Sequence, residues 1–163
     1  MSVFKTTFSR ALRVIPTDNA NIPYPAENAS GTNTSVVVAS LVDSAATFVT
    51  NNVATGDIVY NTTDGTAATV LVVVSETTLL LNADIFTATA KAYVVYTASS
   101  QTSNGNPGCF LYVGGAGNVR VTTIGQDIIT FTAVPVGTVL PVQVVKIHGS
   151  GSGTTATLIN ALW

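Results

Sequence analysis

The segment from Cys109 to Thr123, CFLYVGGAGNVRVTT, decides the fold class. Its first five residues are apolar and predict a strand, and its glycine-rich middle, Gly114–Asn118, predicts a turn. In the last five residues, Val119, Val121 and Thr123 fall on one face of an extended chain, which is the period of a half-exposed strand. The segment therefore predicts two strands joined by a turn.

The whole chain has the composition of a β protein. It holds 26 Thr, 24 Val and 9 Ile, so 59 of the 163 residues have β-branched side chains. Such side chains are restricted in helices and pack well on pleated sheets. Turn signals such as Asp64-Gly65 and Pro135-Val136-Gly137 separate short apolar runs in both halves of the chain. We expect an all-β protein with two small β-barrel or sandwich modules and an extended N-terminal arm.

Few residues are charged, and this limits the kinds of partner that the protein is expected to bind. Only 9% of the residues are charged, with 6 Lys and Arg against 8 Asp and Glu. No basic surplus exists to neutralise a phosphate backbone, so we expect no nucleic-acid partner. The longest aliphatic run, Val70–Val74, is far shorter than the roughly 20 residues that span a bilayer, so we expect no membrane partner. A surface of neutral hydroxyls suits close protein packing, because burying a hydroxyl costs less than burying an ion.

Shifts in composition predict four segments. Residues 1–34 contain three prolines and predict an extended N-terminal arm and linker. Residues 35–97 contain five predicted short strands, at the spacing of a small barrel or half-sandwich. Residues 98–108, ASSQTSNGNPG, lack core residues and predict a second linker. Residues 109–163 form the second β module.

Two local patterns carry specific expectations. Residues 26–35 are small and polar, which predicts a linker rather than a strand. Residues 68–74 are almost all apolar, which predicts a strand buried on both faces.

No set of residues predicts catalysis. A Ser–His pair can be imagined at the one histidine, His148, with Asp127 as its orienter, but the neighbouring loop has Gly151 at its centre and is not a Gly-x-Ser-x-Gly elbow. One His and one Cys cannot form a zinc site alone, and the carboxylates lack calcium-loop spacing. Cys109 precedes apolar residues and predicts a small core side chain. We expect no enzyme, no cofactor and no metal.

The apolar residues at both ends of the chain are the candidate contact residues. An apolar arm must be buried somewhere, and a C-terminal tryptophan offers a large apolar area. Two interpretations stay open: the arm packs on its own chain, or it packs on a neighbouring subunit. In the second case the interface residues are Val3, Phe4, Phe8, Leu12, Leu162 and Trp163.

Several short motifs follow one another along the chain. They are Ile15-Pro16-Thr17-Asp18, Ile22-Pro23, Leu111-Tyr112-Val113-Gly114, Gly117-Asn118-Val119, Val134-Pro135-Val136-Gly137, Leu140-Pro141-Val142, Gly153-Thr154-Thr155-Ala156 and Ala161-Leu162-Trp163. In this order they resemble a family of small proteins from tailed phages and gene transfer agents, described as head spike base or capsid decoration (cement) proteins. The resemblance covers residues 10–25 and 109–163. Family members pass almost directly from the arm to the Leu-Tyr-Val strand, so residues 36–97 are an insertion here.

The resemblance implies a structural virion protein. It would bind the outside of a phage capsid after synthesis in the host cytoplasm and would stabilise the shell. The implied partners are the major capsid protein and further copies of the chain, as a trimer or a pentamer. An alternative is a glycan- or host-surface-binding module on the virion, with the tyrosines of the insertion as stacking platforms. A polysaccharide hydrolase is a third possibility, but a convergent acid/base set is missing.

Overall fold

The computed structural model describes residues 7–98 and 108–163, and these form an all-β protein. The strands are β1 (Ala11–Arg13), β2 (Glu27–Thr32), β3 (Ser40–Val42), β4 (Ile58–Asn61), β5 (Thr66–Ser75), β6 (Thr78–Leu81), β7 (Ala92–Tyr96), β8 (Cys109–Gly115), β9 (Gly117–Thr123), β10 (Ile128–Val134), β11 (Thr138–Ile147) and β12 (Thr157–Leu162). They make two antiparallel six-stranded sheets, one of which curls into a half-barrel. The predicted all-β class is confirmed.

Helical structure in the described ranges is confined to a 3-10 turn at Ser150–Ser152. Within the same ranges, no helix is long and apolar enough to cross a bilayer.

The first sheet, termed the C-terminal sheet, has the order β1-β12-β8-β11-β9-β10. The predicted alternation in β9 is confirmed, because Val119, Val121 and Thr123 are buried while the residues between them are partly exposed. The core that they border is aliphatic apart from Cys109. The inward-facing residues of these strands therefore form one apolar layer.

The turn predicted over residues 114–118 is wrong: apart from Ala116 these residues lie in strands, and β8 and β9 both run antiparallel to β11, so the chain continues in one direction from β8 into β9. Ala116 alone separates the two strands. Gly117 has φ 154°, and a side-chain carbon there would lie 2.5 Å from the amide nitrogen of Ala156. Glycine is required at this position because the backbone of the neighbouring segment occupies the space of a side chain.

The second sheet, termed the inserted sheet, has the order β2-β7-β4-β5-β6-β3. Its core contains aromatic rings: Phe48 and Phe86 both pack against Tyr93, with ring centroids 6.0 Å and 6.4 Å away. The Asp64-Gly65 turn joins β4 to β5, and Gly65 has φ 69°. The predicted turn is therefore confirmed, with glycine at the left-handed position.

Two further local expectations are wrong. Residues 26–35, predicted as a linker, contain β2, which pairs along β7. Strand β5 is not buried on both faces: Val70 is buried, whereas Leu71 and Val74 are exposed. Both outcomes depend on which strands lie alongside, and a sequence pattern does not contain that information.

The described part of the arm packs on its own chain and joins the two sheets. Strand β1 pairs with β12, and the amides of Thr17 and Ile22 donate to carbonyl oxygens of β11 at 2.9 Å and 2.8 Å. Leu12 and Ile15 pack with Tyr60 of β4 between the sheets. The chain then enters the inserted sheet as β2. Residues 7–34 are therefore shared between both sheets.

Candidate functional site

The face of the C-terminal sheet that points away from its core carries apolar side chains. Leu111 of β8 is fully buried in the core, so its neighbours Phe110 and Tyr112 point to the opposite side. The strand register places Tyr112 beside Val139 of β11, and Phe110 beside Leu162 of β12. We term Phe110, Tyr112, Val139 and Leu162 the outer face.

The four residues of the outer face are uncharged and partly open to solvent; the polar Asn160 lies beside Tyr112, and Arg13 of β1 lies beside Asn160. Tyr112 is 36% exposed and Val139 is 43% exposed, while Phe110 and Leu162 are half-buried. An aromatic and aliphatic surface without charge is typical of the centre of a protein–protein interface.

Two of the predicted contact residues, Phe8 and Leu162, lie at this surface. The Phe8 ring packs on the Phe110 ring with centroids 5.6 Å apart. The next residue, Ser9, donates its amide hydrogen to the carbonyl oxygen of Trp163 at 2.7 Å. Phe8 therefore extends the outer face next to Phe110.

Two other predicted contact residues, Leu12 and Trp163, make contacts inside the chain. Leu12 packs between the two sheets. Trp163 packs on the core of the C-terminal sheet, edge-on to Tyr24 at a centroid distance of 5.8 Å. Its Nε1 is buried and has no hydrogen-bond partner among the described residues. The remaining two, Val3 and Phe4, lie outside the described residues, and an interface through all six stays a prediction.

A polar cluster fastens the arm to the C-terminal sheet. The carboxylate of Asp18 accepts hydrogen bonds from His148 Nδ1 at 2.9 Å and from Ser152 Oγ at 2.6 Å. His148 Nε2 lies 3.0 Å from Thr122 Oγ1. Because a carboxylate only accepts, a neutral His148 carries its proton on Nδ1, and Nε2 accepts from the Thr122 hydroxyl. Lys146 Nζ also donates to the carbonyl oxygen of Asp18 at 3.2 Å.

These contacts stabilise the ionised form of Asp18. The hydrogen bond from Ser152 makes the largest contribution and lowers the pKa of the Asp18 carboxyl below its ordinary value of 3.8. Partial desolvation opposes this shift, and His148 and the Gly149 amide add to it. The cluster therefore contains a carboxylate that stays charged at neutral pH.

A hydroxyl, an imidazole and a carboxylate are hydrogen-bonded in series in this cluster, as they are in a catalytic triad. The surroundings of the cluster nevertheless favour a structural clamp. The side chain of His148 is only 14% exposed. Four surface clefts, of about 290 to 390 Å³, are lined by residues other than Asp18, Thr122, His148 and Ser152. A nucleophile needs a place beside it where the reacting atom of a substrate can sit.

The orienter imagined from the sequence, Asp127, does not join the cluster. Its amide donates to the Thr123 hydroxyl at 3.2 Å, as expected for a residue beside a turn. Asp18 takes that position although it lies 130 positions from His148 in the chain. No local spacing could have identified this pair.

The only cysteine has the character of a core residue. Cys109 is buried, and desolvation raises the pKa of its thiol to about 12. It is therefore protonated at neutral pH and poorly nucleophilic. In the described ranges, no three His, Cys, Asp or Glu side chains are grouped so that they could hold a metal ion.

A cleft of about 390 Å³ lies between the arm and the inserted sheet, and its lining includes Leu12, Pro16, Tyr60 and Tyr96. Tyr60 is buried edge-on to Tyr96, with centroids 5.4 Å apart, and desolvation raises the pKa of its hydroxyl. Tyr93 is also buried. Two of the three tyrosines on the strands of the inserted sheet thus have no ring face free for stacking on a sugar.

Exposed aliphatic side chains also occur on the inserted sheet. Register places Leu80 of β6 beside Val72 of β5, and both are exposed. Val38, in the turn before β3, is more exposed still. The inserted sheet therefore also exposes apolar side chains to solvent.

No protein-family model, no curated protein and no solved structure matches this chain.

Proposed function

We propose that the protein is a structural virion component that binds the outer surface of a phage capsid, as a decoration, cement or head spike base protein that stabilises the shell. The observation that carries this proposal is the outer face, which presents Tyr112 and Val139 to solvent with no charged group among its members. Burying such a face against a second protein removes apolar area from water without stripping an ion of its solvent.

The rest of the chain supports an assembling role. With 26 Thr and only 9% charged residues, its surface can approach another protein with little desolvation cost. The motif order shared with capsid decoration proteins favours the major capsid protein as the partner. On a shell, many weak contacts act together, so each copy needs to bury only a standard interface of about 800 Å² per partner.

Binding to capsids tests this proposal directly. Purified protein is sedimented with shells assembled from the major capsid protein of the same virus, and a reconstruction of the decorated particle locates it. Tyr112→Glu places a charge at the centre of the outer face and is expected to reduce occupancy at least about tenfold, since central aromatic residues often dominate interface energy. Leu71→Glu, at an exposed position of the inserted sheet, is the matched control and should bind as the wild type does.

Two results would contradict the proposal. One is a wild-type protein that stays in the supernatant and is missing from purified particles. The other is equal binding by Tyr112→Glu and the wild type, which would exclude the outer face as the contact surface.

The glycan-binding alternative is supported by fewer observations. It requires exposed ring faces on the inserted sheet, where Tyr60 and Tyr93 are buried and Tyr96 is partly buried. Binding of the full chain to a broad glycan array, retained in Tyr112→Glu and lost in Tyr96→Ala, would favour this alternative over capsid binding.

A further inference from the structure

Strand β10 forms an open edge of the C-terminal sheet. It pairs with β9 on one side, and no described strand pairs with its other side. Edge strands of this kind present a row of unused amide and carbonyl groups that can bind another strand.

A hydrogen bond at the start of the β9–β10 ladder, together with the strand register, identifies which backbone groups of β10 are unused. Thr123 donates its amide hydrogen to the carbonyl oxygen of Asp127 at 2.9 Å, and the register then runs through Ile129↔Val121. Because hydrogen-bonded pairs alternate along an antiparallel ladder, Ile129 and Phe131 direct their backbone groups toward β9. The backbone groups of Ile128, Thr130 and Thr132 therefore point away from the sheet.

The opposite side of β9 agrees with this assignment. His148 donates its amide hydrogen to the carbonyl oxygen of Arg120 at 2.9 Å, so Arg120 directs its backbone toward β11. Its partner across the β9–β10 ladder is Thr130. Thr130 thus belongs to a pair that is not hydrogen-bonded within the sheet, and its backbone groups are available for a new strand.

The edge lacks the charged residues and prolines that often protect an edge strand against self-association. Residues 128–134, IITFTAV, contain no charged residue and no proline. An irregularity in register lies between Phe131 and Val134, with Ala133 at φ 52°. This bulge limits the regular edge to residues 128–132.

The core of the sheet is also open along this edge. Ile129 lies beside the fully buried Val121 on the core side, yet it is 47% exposed. Phe131, beside Val119, packs against the core but is only partly buried. A strand added at the edge would cover both side chains.

We propose that two copies of the chain pair through β10, antiparallel and about a two-fold axis at Thr130. In this register Thr130 faces Thr130 of the second copy, and Ile128 faces Thr132, so that all three outward residues exchange backbone hydrogen bonds. Ile129 then faces Phe131 of the second copy in a close pair that is not hydrogen-bonded. The two aliphatic cores become continuous across the dimer.

The same observations favour a second copy over other occupants. Two identical neutral strands meet without repulsion between like charges, and the register is complementary to itself. A ring of three or five copies would instead require β10 to pair with the other edge of the sheet. That edge is β1, which has three residues, and its Leu12 is packed against the inserted sheet. The pairing is therefore two-fold, unlike the trimer or pentamer implied by the resemblance to capsid decoration proteins, and it does not depend on shell binding.

Sedimentation of the isolated full chain tests this pairing. The concentration series covers about 1 µM to about 1 mM, a range suited to a small interface. Thr130→Pro removes an amide that the monomer does not use, and Ile129→Lys places a charge opposite an aromatic ring of the second copy. Each is expected to weaken dimerisation at least about tenfold, because each change occurs twice in the dimer. Ile124→Lys is the matched control, since Ile124 is 46% exposed but lies outside β10.

Amide hydrogen exchange adds a direct readout of the strand register. Protection of Ile128, Thr130 and Thr132 should rise with protein concentration, while that of Ile129 should stay constant. Circular dichroism and thermal melting test whether each variant is folded. If Thr130→Pro does not fold, Ile129→Lys decides the outcome.

Three results would overturn the pairing. They are a wild-type monomer over the whole concentration range, a trimer or pentamer as the associated species, and a dimer that Ile124→Lys weakens as much as Ile129→Lys does.

Discussion

The two sheets of this protein reach a stable core in different ways. The core of the C-terminal sheet is aliphatic, and Cys109 is its one side chain with a polar hydrogen. The core of the inserted sheet has aromatic rings, and the hydroxyl of Tyr93 donates to the buried carboxylate of Asp43 at 2.8 Å. A buried carboxylate is costly unless hydrogen bonds surround it, so this core depends on specific partners.

Strand length contributes to the difference, although the C-terminal sheet also has the three-residue β1 and the inserted sheet has the ten-residue β5. Strands β8, β9 and β11 have seven to ten residues and pair with a strand on each side. The inserted sheet has strands of three and four residues at β3, β4 and β6, joined by long turns. Backbone groups in those turns need side-chain partners.

Buried polar side chains supply those partners in the inserted sheet. Asn33 donates to the carbonyl oxygen of Ala88 at 2.9 Å and accepts from the amide of Lys91 at 2.8 Å. The carboxylate of Asp57 accepts from the amides of Ala54 and Ala98 at 3.0 Å and 3.1 Å. Asn and Asp are usually surface residues, but here their buried side chains hold the irregular backbone in place.

The largest expected effect concerns the aliphatic core. Leu111→Ala removes a fully buried side chain and is expected to lower the free energy of unfolding by about 2 to 5 kcal/mol. Labelling of the Cys109 thiol reports opening of this sheet and should accelerate at least about tenfold. Leu80→Ala, at an exposed position of the inserted sheet, is the control and should change stability by less than about 0.5 kcal/mol. Unchanged labelling in Leu111→Ala would contradict the account of this core.

An intermediate effect is expected in the aromatic core. Tyr93→Phe deletes one hydroxyl and leaves the buried carboxylate of Asp43 with one donor fewer, at an expected cost of about 1 to 3 kcal/mol. Tyr112→Phe makes the same chemical change at an exposed position, so denaturant unfolding should give nearly the wild-type stability. If Tyr93→Phe accelerates Cys109 labelling as strongly as Leu111→Ala, the two cores unfold as one unit, and the contrast between them fails.

The smallest effect is expected at the Asp18 clamp, which depends on pH. The pKa of Asp18 in the folded protein lies below its ordinary value of 3.8, so its contribution is complete above about pH 4 and is lost as pH falls through the lowered pKa. Asp18→Asn should cost less than about 1 kcal/mol at pH 7, because Asp18 is half-exposed, and its stability curve should meet the wild-type curve at low pH. Asp127→Asn, outside the cluster, is the control. A constant difference between Asp18→Asn and the wild type from pH 7 to pH 2 would exclude the clamp.

Much of the fold follows from local patterns. The alternation in β9 and the Asp64-Gly65 turn both appear where the sequence places them, whereas the turn predicted over residues 114–118 does not. Each depends on residues close together in the chain: glycine for tight turns, and a period of two for a half-buried strand. Incorrect predictions, such as the linker expected over residues 26–35, concern segments whose secondary structure depends on pairing with a strand that is distant in the chain.

Less of the candidate site than of the fold could be predicted from the sequence. Leu162 and Phe8 were identified as apolar and terminal, and the structure places both at the outer face. The sequence does not predict Tyr112 or Val139 as contact residues, although Tyr112 alternates with core residues of a predicted strand. Their pairing depends on the β8–β11 register, which joins strands separated by two others in the chain.

The sequence by itself determined that this chain forms strands and tight turns, because β-branching, glycine and the period of two act on neighbouring residues. Only the tertiary structure decided that the arm contributes β1 to one sheet and β2 to the other, that Asp18 meets His148, and that β10 is left at an edge. These features depend on which strands lie side by side, and that order follows from the packing of whole sheets rather than from any local segment.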